Sequence, residues 1–188
     1  IPRMRLGYWK ASHKESKQSI LVGQDWIPVA AMNPATVDFG ILTAAGNLWW
    51  RVPQITYRKK WDTTELMFSL MKHRRTDTAS RDRMPSLLGR FAWADEGWHV
   101  ALGGGWRTAD EENALGTDTT LNRWLTALEL KYKADRFTFV AEPWMGEGID
   151  NEFLRYDLGI NRSGVEPMEI SSWGGFLSMS YAASDCIT

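Results

Sequence analysis

The chain of 188 residues holds one cysteine, Cys186. A single thiol excludes an internal disulfide framework and a four-cysteine metal site. Long apolar runs are also missing. No stretch nears the roughly 20 consecutive apolar residues of a spanning helix, which excludes a helical membrane protein. It does not exclude a membrane β-barrel, whose alternating strands keep hydropathy averages low; the mean hydropathy of −0.36 is neutral on the point. Charge of one sign is lacking as well: Lys+Arg number 22 against 23 Asp+Glu, a formal net charge of −1. No global field therefore argues for nucleic acid or an anionic membrane surface. No positively charged segment leading into an apolar stretch opens the chain, so no signal peptide is read. Ile1-Pro2-Arg3 and Asp185-Cys186-Ile187-Thr188 read as cut ends. The expectation is one β domain over 1–188 that is a piece of a longer chain.

Tryptophan is abundant, with 11 residues. Its apolar body and single N–H donor concentrate it at sugar-binding faces, interfaces and membrane–water boundaries. The tryptophans lie in segments of period 2. In 121–144, Trp124, Thr126, Leu128, Leu130, Tyr132, Phe137, Phe139 and Ala141 alternate with Arg123, Leu125, Ala127, Glu129, Lys131, Thr138, Val140 and Glu142. In 97–107, Trp98, Val100, Leu102, Gly104 and Trp106 oppose His99, Ala101, Gly103, Gly105 and Arg107. Segments 53–61, 64–71, 86–94 and 172–181 alternate the same way, and 4–11 and 18–26 less cleanly. Alternation over such lengths predicts strands with one apolar face.

The connections alternate too. Short ones are expected at 12–17, 62–63, 94–97 and 133–135, and long ones at 27–49, 72–84, 108–120 and 145–168. In an antiparallel up-and-down sheet this puts short turns at one end and long loops at the other, as in outer-membrane barrels. About nine strands are expected, each near the roughly 9–11 residues that cross a bilayer when tilted. The predicted class is all-β: an antiparallel up-and-down transmembrane β-barrel, here incomplete. Aromatics at strand ends predict two girdles. Trp61, Trp93, Trp98, Tyr132 and Phe137 flank the short turns, and Trp106, Trp124 and Trp173 mark the other end. The rival is a soluble β-sandwich or lipocalin-like barrel binding carbohydrate or another ligand, in which the apolar face points inward. The position of Trp98, Val100, Leu102, Phe137 and Phe139 separates the two: outside one curved sheet for the membrane barrel, sealed against a second sheet for the rival.

The order of Leu21-Val22-Gly23-Gln24-Asp25-Trp26, a long loop with Thr36-Val37-Asp38-Phe39-Gly40, then Arg51-Val52-Pro53-Gln54-Ile55-Thr56-Tyr57 and Met84-Pro85-Ser86-Leu87-Leu88-Gly89-Arg90-Phe91 resembles bacterial outer-membrane porins of the DcaP-like family. The likeness covers about residues 18–181. It implies a piece of a Gram-negative porin lacking several strands, a homotrimer, and passive transport of small, often anionic, solutes and ions. Partners implied by this reading are the lipid bilayer and lipopolysaccharide.

The face opposite the aromatics is the candidate pore lining. It carries Arg58, Lys60, Arg90, Arg107, Arg123 and Lys131 against Glu65, Glu129 and Glu142, with His99 ambiguous in charge. The basic excess predicts a weak anion preference carried by Arg58, Arg90 and Arg107; local pairing of these arginines with Glu65 and Glu129 is the alternative. Loop 27–49 is unusually apolar for an exposed connection, which predicts that it folds into the barrel and narrows it. Packing on a neighbouring subunit is the other reading.

No covalent chemistry is predicted. Gly103-Gly104-Gly105 lies within a strand and is not a phosphate loop; glycines there permit bending or close packing. His13, His73 and His99 lack ligand spacing, and no cofactor is implied. Glu147, Asp150 and Glu152 read as solvated loop charges before a calcium site. Glu129 and Glu142 satisfy the two-carboxylate pattern of a glycosidase only as any charged hairpin would. Lys72-His73-Arg74-Arg75 reads as a solvated loop or a lipopolysaccharide contact, not a nucleic-acid site.

Overall fold

The computed structural model describes residues 6–33, 48, 51–72, 80–149 and 159–183. Among them every regular element is a strand: β1 Gly7–His13, β2 Gln18–Trp26, β3 Arg51–Lys60, β4 Thr64–Met71, β5 Ser80–Asp82, β6 Ser86–Asp95, β7 Trp98–Glu112, β8 Asp118–Ala134, β9 Phe137–Glu147, β10 Ile160–Asn161, β11 Met168–Glu169 and β12 Ser171–Tyr181. One antiparallel sheet runs in the order β1-β2-β3-β4-β6-β7-β8-β9-β12, with β5 added to β7; β10 and β11 form a separate small hairpin. The architecture is all-β and up-and-down, and β1 and β12 are the open edges of an unclosed sheet.

Register sorts the side chains into two faces. Across the middle strands Ile55 faces Leu70, Leu70 faces Leu87, Leu87 faces Trp106, and Trp106 faces Trp124. Three rows along, on the other face, Arg58 faces Met67, Met67 faces Arg90, and Gly103 faces Ala127. Burial is inverted relative to a water-soluble sheet. Phe68, Phe91, Leu102, Leu177 and Trp173 are exposed, Trp173 to 85%, whereas Arg90, Arg107, Arg123, Glu129 and Glu142 are buried. Of the discriminating set, Trp98 and Leu102 are exposed, and Val100, Phe137 and Phe139 are half-exposed. No second sheet covers them among the described residues.

The inner face packs on the chain's own loop. Ile27, Val29, Ala30 and Leu48 cluster with Val52, Met71, Leu88, Leu125, Ala127, Trp144 and Ile149. Gly103 leaves room for this: a Cβ on it would stand 2.9 Å from Val29 Cγ1. The apolar segment following β2 thus folds inward at its described residues; 34–47 lie outside the described set.

The short turns need the backbone geometry that their residues supply. Glu96 and Gly97 both have positive φ, 44° and 86°, the paired left-handed geometry of a two-residue hairpin loop. Neighbouring turns are tied together: Lys17 Nζ lies 2.6 Å from Asp62 Oδ1, and that hydrogen bond, reinforced by the Lys17 charge, holds the Asp62 carboxyl below its ordinary value.

At the other end the strands outrun the sequence expectation. Positions 108–120 are not a long loop; β7 runs to Glu112, β8 begins at Asp118, and the turn is 113–117. Asn113 closes it, its side-chain oxygen accepting from the N–H groups of Leu115 and Thr117. The extension was hidden because its residues are polar on both faces, so no apolar alternation marks them. Likewise β9 reaches Glu147, and the expected loop 145–168 contains β10 and the start of β11.

Candidate functional site: a charged inner face crossed by a loop

The inner face carries two ionic clusters separated by the seat of the loop. In the first, Arg90 on β6 is 7% exposed and Glu129 on β8 is 1% exposed. Their contact is a two-pronged fork: Arg90 Nε to Glu129 Oε1 at 2.7 Å and Nη2 to Oε2 at 2.7 Å. Planar guanidinium and carboxylate groups match in this arrangement, which fixes orientation as well as charge. Arg90 Nη1 reaches Glu65 at 3.2 Å, and Glu65 also meets Lys60 at 3.1 Å and Arg58 at 3.7 Å. His99 Nε2 stands 3.4 Å from Glu129 Oε2 and 3.3 Å from Arg90 Nη2.

These contacts run diagonally between strands. Glu65 lies opposite Ala92, and Glu129 opposite Ala101, so the small side chains leave space for Arg90 to reach both carboxylates. Of the three arginines expected to favour anions, Arg58 and Arg90 are therefore in local pairs with Glu65 and Glu129. Arg107 is buried, directly opposite Arg123.

The second cluster lies where β7 and β8 extend. Arg123 Nη2 donates to Glu111 Oε1 at 2.5 Å, and Arg162, before β11, donates to Glu111 Oε2 at 2.9 Å. Gly148, with φ 63°, makes space for Arg123: a Cβ there would meet its Cγ at 2.8 Å. Outside this pair, Asp110 takes Arg83 at 2.6 Å and the Thr120 hydroxyl at 2.8 Å. Nothing in the sequence marks Glu111, because its neighbours 110 and 112 are charged as well.

Between the clusters the loop is held by carboxylates. The N–H of Ala31 donates to Glu129 Oε1 at 3.2 Å and that of Met32 to Glu142 Oε2 at 2.8 Å. Gln54 Nε2 donates to the Trp26 carbonyl at 2.6 Å, fixing the start of the segment. Ala30 has φ 58° and is buried; a non-glycine residue keeps such a conformation only where its surroundings enforce it. The loop has a cavity on either side. One of about 330 Å³ is lined by Tyr8, Lys10, Gln54, Thr56, Arg58 and Arg90 among others. The other, of about 580 Å³, is lined by Ala31, Met32, Arg90, His99, Glu129 and Lys131 among others. Ala31 and Arg90 border both. Tyr8 and Lys10 were not singled out in the sequence because β1 alternates poorly.

The remaining candidates do not gather into a site. Glu147 accepts from Trp124 Nε1 at 3.1 Å and from the Ser171 hydroxyl at 3.2 Å; Asp150 and Glu152 lie outside the described residues, as do His73, Arg74 and Arg75. His13 caps its own turn, its Nδ1 accepting from Ser16. Lys131 is exposed on the inner face beside Val140. Of the aromatic candidates, Trp61, Trp93, Trp98, Trp106 and Trp173 are exposed, and Trp124, Tyr132 and Phe137 half-exposed. Trp98 and Tyr132 stack with centroids 4.4 Å apart.

No family model matches the chain, and neither does any curated protein. Among solved structures the chain is similar to the crystal structure of the outer membrane channel DcaP of Acinetobacter baumannii, with a TM-score of 0.79 and 18% identity. The match covers 97% of this chain and 52% of that chain, so the chain spans about half that structure's length, and the likeness is one of fold.

Proposed function

We propose that this chain is part of the wall of an outer-membrane diffusion channel that passes small hydrophilic solutes. The observation that carries the reading is the inversion of burial: buried Arg90, Arg107, Arg123, Glu129 and Glu142 on one face, exposed Phe68, Phe91, Leu102, Leu177 and Trp173 on the other. In water each such aromatic or aliphatic side chain forgoes on the order of 1.5–3 kcal/mol of burial. A continuous apolar face of this size is stable against hydrocarbon and a liability in water.

The dimensions support the same reading. Trp98 and Trp106 bound the apolar part of the outward row of β7. Their spacing is about 27 Å along the strand at ~3.4 Å per residue, or about 21 Å for a strand tilted by roughly 40°, near the ~25 Å apolar band of such barrels. Charged residues reach the outward face at its margins, as Lys59 and Asp95 do. Further strands outside this chain would join the β1 and β12 edges and close the barrel; a homotrimer, contact with lipopolysaccharide and residence in a Gram-negative outer membrane belong to the same proposal.

On this reading the lumen is lined by Arg58, Lys60, Arg107, Arg123 and Lys131 with the Arg90–Glu129–Glu65 network, and the loop narrows it. Basic groups outnumber acidic ones, which favours anions weakly because most are paired. Function resides in width and lining charge, without covalent catalysis. The full-length channel in planar bilayers under a salt gradient tests this: discrete conductance with a reversal potential on the anion side is expected. Cation selectivity would refute the charge claim, and no conductance would refute the channel.

A further inference from the structure

We propose that Glu142 is the positioning residue that holds the inward loop across the lumen, through the backbone N–H of Met32, and thereby sets the size of solute admitted. The inference rests on the channel reading and deepens it. Glu142 is 0% exposed. A carboxyl group removed from water is costly unless hydrogen bonds compensate. Its Oε2 accepts from Met32 N at 2.8 Å, while its Oε1 has no hydrogen-bond partner among the described residues. Its neighbour Glu129 differs, because Arg90 already occupies both of its oxygens. Glu129 thus serves the wall and the loop together, whereas the one described hydrogen bond of Glu142 goes to the loop.

The apolar part of the seat does not by itself fix where the loop crosses. Val29 over Gly103, with Ile27 and Ala30 among Leu88, Leu125, Ala127 and Trp144, gives an apolar contact that sets depth. Apolar packing is non-directional, whereas two carboxylates on adjacent strands aimed at successive amides specify one register. Ala31 borders both cavities, so a shift of this segment changes the shape of each.

The test uses the full-length channel in planar bilayers and sugar-loaded vesicles. Removing one such hydrogen bond shifts an equilibrium by roughly two- to tenfold. Glu142→Leu should raise the occupancy of a wider conductance level by that order and admit larger sugars. Glu142→Gln, which keeps an acceptor oxygen for the Met32 N–H, should stay close to wild type. Met32→Pro removes the donor without touching the wall and should reproduce Glu142→Leu, with no further widening when the two are combined. A cross-link supplies the rescue. An ideal Gly103 Cβ lies 3.4 Å from Val29 Cβ, close to the span of a disulfide. Gly103→Cys with Val29→Cys, in a Cys186→Ser, Glu142→Leu background, should return to the narrow level when oxidised and widen on reduction. Wild-type conductance in both Glu142→Leu and Met32→Pro would overturn the assignment, as would full widening in Glu142→Gln; either leaves the channel reading standing. A wild-type protein that does not conduct sinks the channel reading itself.

Discussion

Arg90 and Glu129 show how a charge survives away from water in this chain. Each group is satisfied by the other's full fork, and Glu65, His99 and the Ala31 amide take the remaining valences. Removing one member leaves the other buried and uncompensated. Glu129→Leu is therefore expected to destabilise the folded protein by about 3–5 kcal/mol, and Arg90→Met with Glu129→Leu to recover much of that loss. Urea midpoints of the refolded protein in vesicles measure both. At the rim the balance differs. Lys17–Asp62 is solvent-exposed, so it contributes little and salt weakens it. Because the folded Asp62 value is depressed, the contribution is fully present above the ordinary carboxylate range and is lost as pH falls through the lowered folded value. The protection of the Lys60 amide, whose N–H donates to the Lys17 carbonyl at 2.9 Å, relative to its intrinsic exchange rate should fall over that acidic range. Asp62→Asn should remove this change in protection.

In the β7–β8 hairpin, outward and inward positions obey different rules. Leu102 lies midway along the outward row and Trp98 at its edge. Leu102→Arg should cost about 2–4 kcal/mol of stability in a bilayer, against roughly 0–1 kcal/mol for Trp98→Arg at the interface; the fraction of heat-resistant folded protein after refolding into vesicles checks the ratio. Sorting of residues between faces was legible in the sequence because a period of 2 survives without knowledge of the partners. Register was not legible: Arg90 reaches Glu65 and Glu129 through alignments that a one-residue slip would move to the other face. Inward folding of the segment after β2 was readable from Ile27, Val29 and Ala30. Its acceptors were not, since Glu129 and Glu142 lie 98 and 110 positions from the amides they bind. The extra length of β7 and β8 has no apolar alternation, which leaves Glu111 and Asp110 unmarked in the sequence.

For the whole molecule, the proposed channel gives strands in sequence order, short turns at one end and an apolar face turned outward one solvent assignment: lipid outside, water inside. A nitroxide scan of β7 from Trp98 to Trp106, on single-cysteine variants of the full-length protein with Cys186 replaced by serine, tests it directly in vesicles. Accessibility to oxygen, which partitions into lipid, should peak at 98, 100, 102, 104 and 106 and fall at 99, 101, 103 and 105. A polar nickel reagent should be excluded from the central even positions. Even positions shielded from both reagents would place those side chains inside a protein core and contradict the account.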